Sequence, residues 1–298
     1  MKIGLNPAFL FAHYGENVFL NQIIEGATLA KKLNFSSLGL EVYCDSQYDA
    51  YTSSNIRTIR EHFNHLGLKS TAFVACAPRA KLCSFNSKVR SEGKKDFKRI
   101  ADIAAELGLS DVVALVTSAP PEAVISYMDT YPGAPPQSLI LPSGSTWEGI
   151  WNSYIETVGK CLDIVKNRGL RLALEPTPMS VVSNSDSYLR FAREMNSNHF
   201  GILIDTSHLF FQREYLPIVI EKVKESLFGF CACDNDGVHD YHWAPGRGNI
   251  DWNGVLETLK KIKYKGYIDL EINVSKEPNS TYLQAREFLE KKLRAIST

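Results

Sequence analysis

Four short apolar runs of this chain each lead into an acidic side chain. Arg171-Leu-Ala-Leu-Glu-Pro176 carries Glu175, Phe200-Gly-Ile-Leu-Ile-Asp205 ends in Asp205, Leu227-Phe-Gly-Phe-Cys-Ala-Cys-Asp234 ends in Asp234, and Gly266-Tyr-Ile-Asp-Leu-Glu271 carries Glu271. Carboxylate oxygens are hard ligands, suited to Mg²⁺ or Mn²⁺. A divalent ion among them can hold two adjacent oxygens of a polyol or ketose and act as a Lewis acid. Two carboxylates on opposite sides of a bound sugar can then move a proton, one as base and one as acid. Glu175, Asp205 and Glu271 are the candidate metal ligands, and the acid and base are sought among the same carboxylates. A single acid at a strand end is ordinarily a solvated carboxylate or a helix cap. Three at corresponding ends of neighbouring strands point to a site.

Polar and aromatic groups crowd around these runs. His208 follows Asp205 by three residues and is expected to meet a substrate hydroxyl. The loop Asp234–Trp252 holds Asp240 and His242, one residue apart, so on extended chain they point the same way. That suits a ligand pair or a histidine–carboxylate couple, with His242 a substrate contact. Pro245, Gly246 and Gly248 shape a tight turn, and Arg247 between the glycines is expected to reach an anion or a sugar oxygen. Asp251, just before Trp252, is a helix N-cap by type and place.

The elements that must position these groups alternate in type. Strand-like stretches cover 2–6, 37–43, 70–77 and 111–117 and then the four acidic runs. Helix-like stretches cover about 17–33, 55–66, 89–107, 147–167, 185–195, 214–225, 253–262 and 280–294. Near-continuous apolar strands suit a parallel sheet buried on both faces. Eight β-then-α units with short connections predict a single (β/α)8 TIM barrel, an α/β fold whose reactive residues sit at the C-terminal ends of its strands. No glycine-rich dinucleotide loop follows the first strand, which argues against an open doubly wound sheet. The long proline-rich stretch 118–145 follows strand four and should hang over the same rim. His62 and His65 lie on an outer-layer helix, away from any rim.

Composition sets the bounds. With 298 residues, 44% hydrophobic and 22% charged, the chain is ordinary for a globular protein, and α/β barrels run to about 250 residues as one domain. The 33 basic and 33 acidic side chains cancel, so no general field for polyanions exists and a nucleic-acid partner is not expected. No apolar run reaches the ~20 residues that span a bilayer, so no membrane partner is expected. The N-terminus lacks the pattern of a signal peptide, and a cytoplasmic location is expected. The six cysteines show no zinc-site spacing; Cys231 and Cys233 share one face of a strand and read as small buried thiols.

These motifs resemble the xylose isomerase-like TIM-barrel superfamily, which includes sugar-phosphate isomerases and epimerases, inosose dehydratases, ketose 3-epimerases and AP endonucleases. The resemblance spans residues 1–298 as one domain and rests on Leu174-Glu-Pro176, Ile204-Asp-Thr-Ser-His208, Asp234-Asn-Asp-Gly237, Pro245-Gly-Arg-Gly-Asn-Ile-Asp-Trp252 and Gly266-Tyr-Ile-Asp-Leu-Glu271. It implies Glu175, Asp205 and Glu271 as ligands of a divalent metal, Mn or Mg, and a small-molecule sugar or polyol substrate. It implies an isomerase or epimerase with Glu175 and Glu271 as the acid/base carboxylates that exchange the proton, and it leaves the oligomeric state open. The family's strand-seven histidine ligand usually lies two residues before the Asp-Asn, where this chain has Ala232. Water, Asp234 or His242 would then complete the coordination, or the ion is gone, or the barrel binds carbohydrate without catalysis. A metal-dependent lyase or dehydratase would use the same carboxylates. The second acid that ketose 3-epimerases carry after the strand-five ligand is replaced near Val181 and Val182. The histidines AP endonucleases carry on strands three and four are absent near Cys76 and Ser118, which speaks against DNA repair.

Overall fold

The structure, a computed structural model, describes residues 1–123, 140–274 and 276–296. Much of the expected rim loop, including Pro132, Pro135 and Pro136, lies outside the described residues. Eight strands alternate with helices: β1 Lys2–Leu5, β2 Leu40–Val42, β3 Phe73–Ala75, β4 Val112–Val116, β5 Arg171–Glu175, β6 Phe200–Asp205, β7 Leu227–Ala232 and β8 Tyr267–Leu270. The helices are α1 Ala8–Tyr14, α2 Leu20–Lys32, α3 Ser53–Leu66, α4 Arg79–Leu82, α5 Ser87–Leu107, α6 Trp147–Lys166, α7 Ser185–Met195, α8 Thr206–Phe211, α9 Leu216–Val223, α10 Trp252–Lys261 and α11 Pro278–Ala295. Short α1, α4 and α8 are additions to the expected pattern. They are single turns or little more, built at the rim where periodicity gives no warning.

All ladders among the described residues are parallel, in the order β1-β8-β7-β6-β5-β4-β3-β2. That order is a (β/α)8 barrel. The seam between β1 and β2 is bridged where the Gly39 N–H donates to the Leu5 carbonyl at 2.7 Å. Glycine is required there, because a Cβ on Gly39 would lie 2.6 Å from Pro7 Cδ. Gly39→Val is therefore expected to cost about 1–3 kcal/mol by overpacking. Gly159→Ala, on α6 with no atom within 4 Å of the added carbon, should instead gain about 0.5–1 kcal/mol. Urea midpoints of the two variants check both.

Strand alternation sorts the side chains. Leu172, Leu174, Ile202, Ile204, Phe230, Ala232, Ile268 and Leu270 pack outward in one large core with the helices. The other parity is smaller and faces the barrel axis: Ala72, Val74, Cys76, Val112, Ala114, Ala173, Leu203 and Cys231. By the same parity Glu175, Asp205 and Glu271 continue the inward rows of β5, β6 and β8 beyond this small-residue plug. The period of two thus delivers three carboxylates to the inside of one rim.

Candidate active site

The rim opens into a cavity of about 800 Å³ lined by Glu175, His208, Asp240, His242 and Glu271, with Asn6, Glu41 and Arg79 also on its wall. Glu175, His208, His242 and Glu271, all expected from the sequence, share this wall, and Asp205 brings an oxygen within 4.8 Å of ligand atoms on Glu175 and His208. Asn6 follows β1 and donates through Nδ2 to Glu271 Oε2 at 2.8 Å and to Cys231 Sγ at 3.3 Å. Asp205 is fully buried. It caps α8 by accepting the His208 N–H at 2.9 Å. His208 is thus in the first helical turn and also on the cavity wall.

Asp240 is the hinge of a histidine–carboxylate–histidine network. Its Oδ2 meets His208 Nδ1 at 2.6 Å, and its Oδ1 accepts from Ser207 Oγ at 2.6 Å and lies 3.3 Å from His242 Nε2. The two imidazoles meet edge to face with centroids 4.8 Å apart. Burial alone would raise the Asp240 carboxyl, but His208 and His242 hold it far below the usual carboxylate range. Burial opposes protonation of His208, yet Asp240 and then Asp205 lift it to about 10. His242 is lifted to about 9 against burial by Asp205 and Asp240. The neighbouring carboxylates thus favour the protonated form of each ring, and both rings line the cavity. Asp240, coupled to His242 by its spacing, serves His208 as well.

Arg247 and Asp234 stand apart from this site, and the expectations for them are corrected. Arg247 is exposed, is not on the cavity wall, and approaches Gln284 Oε1 at 3.4 Å. The turn seats Gly246 against the Phe288 ring and sends the next side chain outward. Asp234 is fully buried and is consumed by the loop it begins. Its carboxylate accepts from Asn235 N (3.0 Å), Gly246 N (2.8 Å), Ile250 N (3.1 Å) and Trp252 Nε1 (2.8 Å), which leaves it no role as a metal ligand. Gly248 is part of this knot, since a Cβ there would lie 2.2 Å from Asn235 O. Asp251 caps α10 as expected, accepting from Asn253 and Gly254 N–H. Ala232 also needs correction as the place of a missing ligand. Its side chain faces the helices, so no residue at 232 points into the rim; the inward neighbours are Cys231 and Cys233.

Glu41 and Arg79 were not anticipated. Glu41 sits on β2 in Leu38-Gly-Leu-Glu41, the same apolar-then-acid design as the four runs above, so the signal was present. Burial, then the charge of Glu175, push Glu41 up to about 8, with Arg79 acting the other way. Its proton is held more tightly folded than unfolded. The corresponding stability is full below the unfolded carboxyl value and is lost as pH rises towards 8. In chelator-treated protein, Glu41→Gln should abolish a loss on the order of 4 kcal/mol between pH 5 and pH 8. Thermal melts of parent and variant at both pH values check this.

The carboxylates form a site that favours a cation. Burial pushes Glu175 up to about 7, with His208 offsetting and Asp205 reinforcing it. Burial, Asp205 and Glu175 drive Glu271 well above its ordinary range. Among the described residues, three donor groups each bring their ligand atoms within 4.8 Å of one another: Glu175, Asp205 and His208; His208, Asp240 and His242; and Asp205, Cys233 and His242. Glu271 faces the same cavity outside these tight groups. Oxygen-rich donors with buried negative charge fit a divalent ion.

The model of the xylose isomerase-like TIM barrel family matches residues 27–292. The chain belongs to that family. It is 28% identical over 145 residues to fructoselysine 3-epimerase of Escherichia coli O157:H7, covering 48% of this chain and 52% of that protein. It is 23% identical over 225 residues to ketose 3-epimerase of Arthrobacter globiformis, covering 74% and 68%. The chain spans about half the length of the curated relatives it matches first. Its fold is shared with a D-tagatose 3-epimerase-like protein, at a TM-score of 0.77 and 20% identity over 100% of this chain and 98% of that one. The apo 3-keto-D-glucoside 4-epimerase of E. coli gives 0.75 and 18%, covering 98% and 99%.

Proposed function

We propose that the chain is a sugar isomerase or epimerase that moves a proton at a carbon next to a carbonyl. The observation that carries this is the delivery of Glu175 and Glu271, from strands three positions apart, to the wall of one cavity. The epimerase names of the relatives agree with it. One carboxylate takes the proton from carbon, and the electron pair moves onto the carbonyl oxygen. The other carboxylate returns a proton to the opposite face, which inverts that centre. Burial raises the Glu175 carboxyl from its ordinary value, which strengthens it as a base. An N–H of His208, whose ring lines the cavity, would donate to an oxygen that gains charge, and the His242 ring would border the bound sugar. Asp240 would position both rings.

Glu175, Asp205 and Glu271 would hold a divalent cation, which when bound supplies Lewis acidity towards adjacent sugar oxygens. The residues orient the sugar and carry the proton. A single barrel domain over 1–298 and a sugar as the small-molecule partner are part of the same reading. Incubation of the protein with a panel of ketoses and 3-keto sugars, with added Mn²⁺ and in chelator, tests it by product NMR. Appearance of an epimer or isomer only with the parent protein supports the proposal. Recovery of every sugar unchanged, with and without metal, contradicts it.

A further inference from the structure

We propose that Cys233 is a metal ligand, forming with Asp205 and His242 a mixed S, O, N site for a thiophilic divalent cation of the zinc class. The proposal rests on reading the rim as a cation site; it shares Asp205 with the carboxylate set Glu175, Asp205 and Glu271 and adds the two donors that select the ion. The three groups come from three places: the end of β6, the first residue past β7, and the loop before α10. Their ligand atoms all lie within 4.8 Å of one another. Cys233 Sγ faces both Asp205 oxygens, at 3.2 and 3.3 Å. His242 Nδ1 is 3.8 Å from Asp205 Oδ2.

The surroundings fix each donor. Cys233 is pinned at its backbone, its N–H donating to Thr206 Oγ1 at 2.9 Å and its carbonyl accepting from that hydroxyl at 2.6 Å. His242 adopts a left-handed backbone, φ 53°. The paired hydrogen bonds between Asp234 and the next residue, Trp243, both 2.8 Å, hold that segment in place. Its Nε2 meets the Asp240 carboxylate at 3.3 Å, so Nδ1 is turned towards Asp205. A carboxylate behind an imidazole in this way is the usual support of a metal-ligating histidine. Cys, His and Asp are all zinc donors. An all-carboxylate site would favour Mg²⁺ or Mn²⁺; a thiolate shifts the preference to softer ions. Coordination breaks the Cys233 S–H bond and the His242 Nδ1–H bond, forms a metal–sulfur and a metal–nitrogen bond, and releases both protons to bulk solvent.

Co²⁺ is the probe, added without sugar to the full chain after chelator treatment. The expected result is uptake of about one equivalent with a near-ultraviolet thiolate-to-cobalt band. Cys233→Ser should lose that band and bind Zn²⁺ more weakly by at least the ~10–100-fold that loss of a mere outer partner costs. Cys231→Ser should keep the band. Absence of uptake, uptake without the band, or a band that survives Cys233→Ser overturns the proposal. Should Cys233→Ser not fold, X-ray absorption of the Zn²⁺-loaded parent decides: a sulfur at about 2.3 Å supports it, and a shell of nitrogen and oxygen alone overturns it. No readout involves a sugar, so failure here leaves the epimerase test standing, and the reverse holds.

Discussion

Glu271→Gln is expected to lower kcat by about 10²–10⁴-fold, the range for loss of a positioned acid or base. KM should change by no more than a few-fold, because glutamine keeps the shape and the oxygen that accepts from Asn6 Nδ2 at 2.8 Å. The reason is the position of the carboxyl. It continues the inward row of β8 and faces the cavity, and burial, Asp205 and Glu175 raise its carboxyl above the usual range. An amide cannot exchange a proton with carbon. Steady-state kinetics on the converted sugar checks this. A variant within ten-fold of the parent would remove Glu271 from the proton path.

Asp234→Ala is expected to cost roughly 3–5 kcal/mol of stability, although Asp234 touches no part of the cavity. Its carboxylate serves three backbone N–H groups and the Trp252 indole N–H, all buried or half-buried. Truncation leaves those donors without an acceptor, and each buried unpaired group costs about 1–3 kcal/mol. The same knot anchors the strand-like bridge to Trp243 and therefore the backbone of His242. Activity should fall together with stability. A urea midpoint shifted at constant slope would bear this out, and a loss under about 1 kcal/mol would contradict it.

The barrel and most of the site were legible in the sequence because both follow from one period. Alternation of two along β5, β6 and β8 fixes which residues face the axis, and an acid at the end of such a row is a rim acid wherever the helices lie. Glu175, Asp205 and Glu271 follow from that alone. His208 follows because Asp205 starts a helical turn three residues before it. The loop after β7 carries no such period. There the backbone is set by where Asp234 finds its donors, so an exposed Arg247 and a buried, structural Asp234 could not be separated by residue type. Ala232 misled for a related reason: counting back from the Asp-Asn pair ignores parity, and parity turns residue 232 to the helices. Asn6 at the end of the β1 run and Glu41 on β2 occupy the same kind of strand-end position.

The central claim is that Glu175 and Glu271 move a carbon-bound proton on opposite sides of a sugar. Incubating the parent with its converting sugar in D₂O, and following the product by NMR, tests it most directly. The account predicts deuterium at the inverted carbon of the product, with the incorporation suppressed in Glu271→Gln. Product formed in D₂O without deuterium at that carbon would mean the hydrogen never left as an exchangeable proton, and the two-carboxylate account would be wrong.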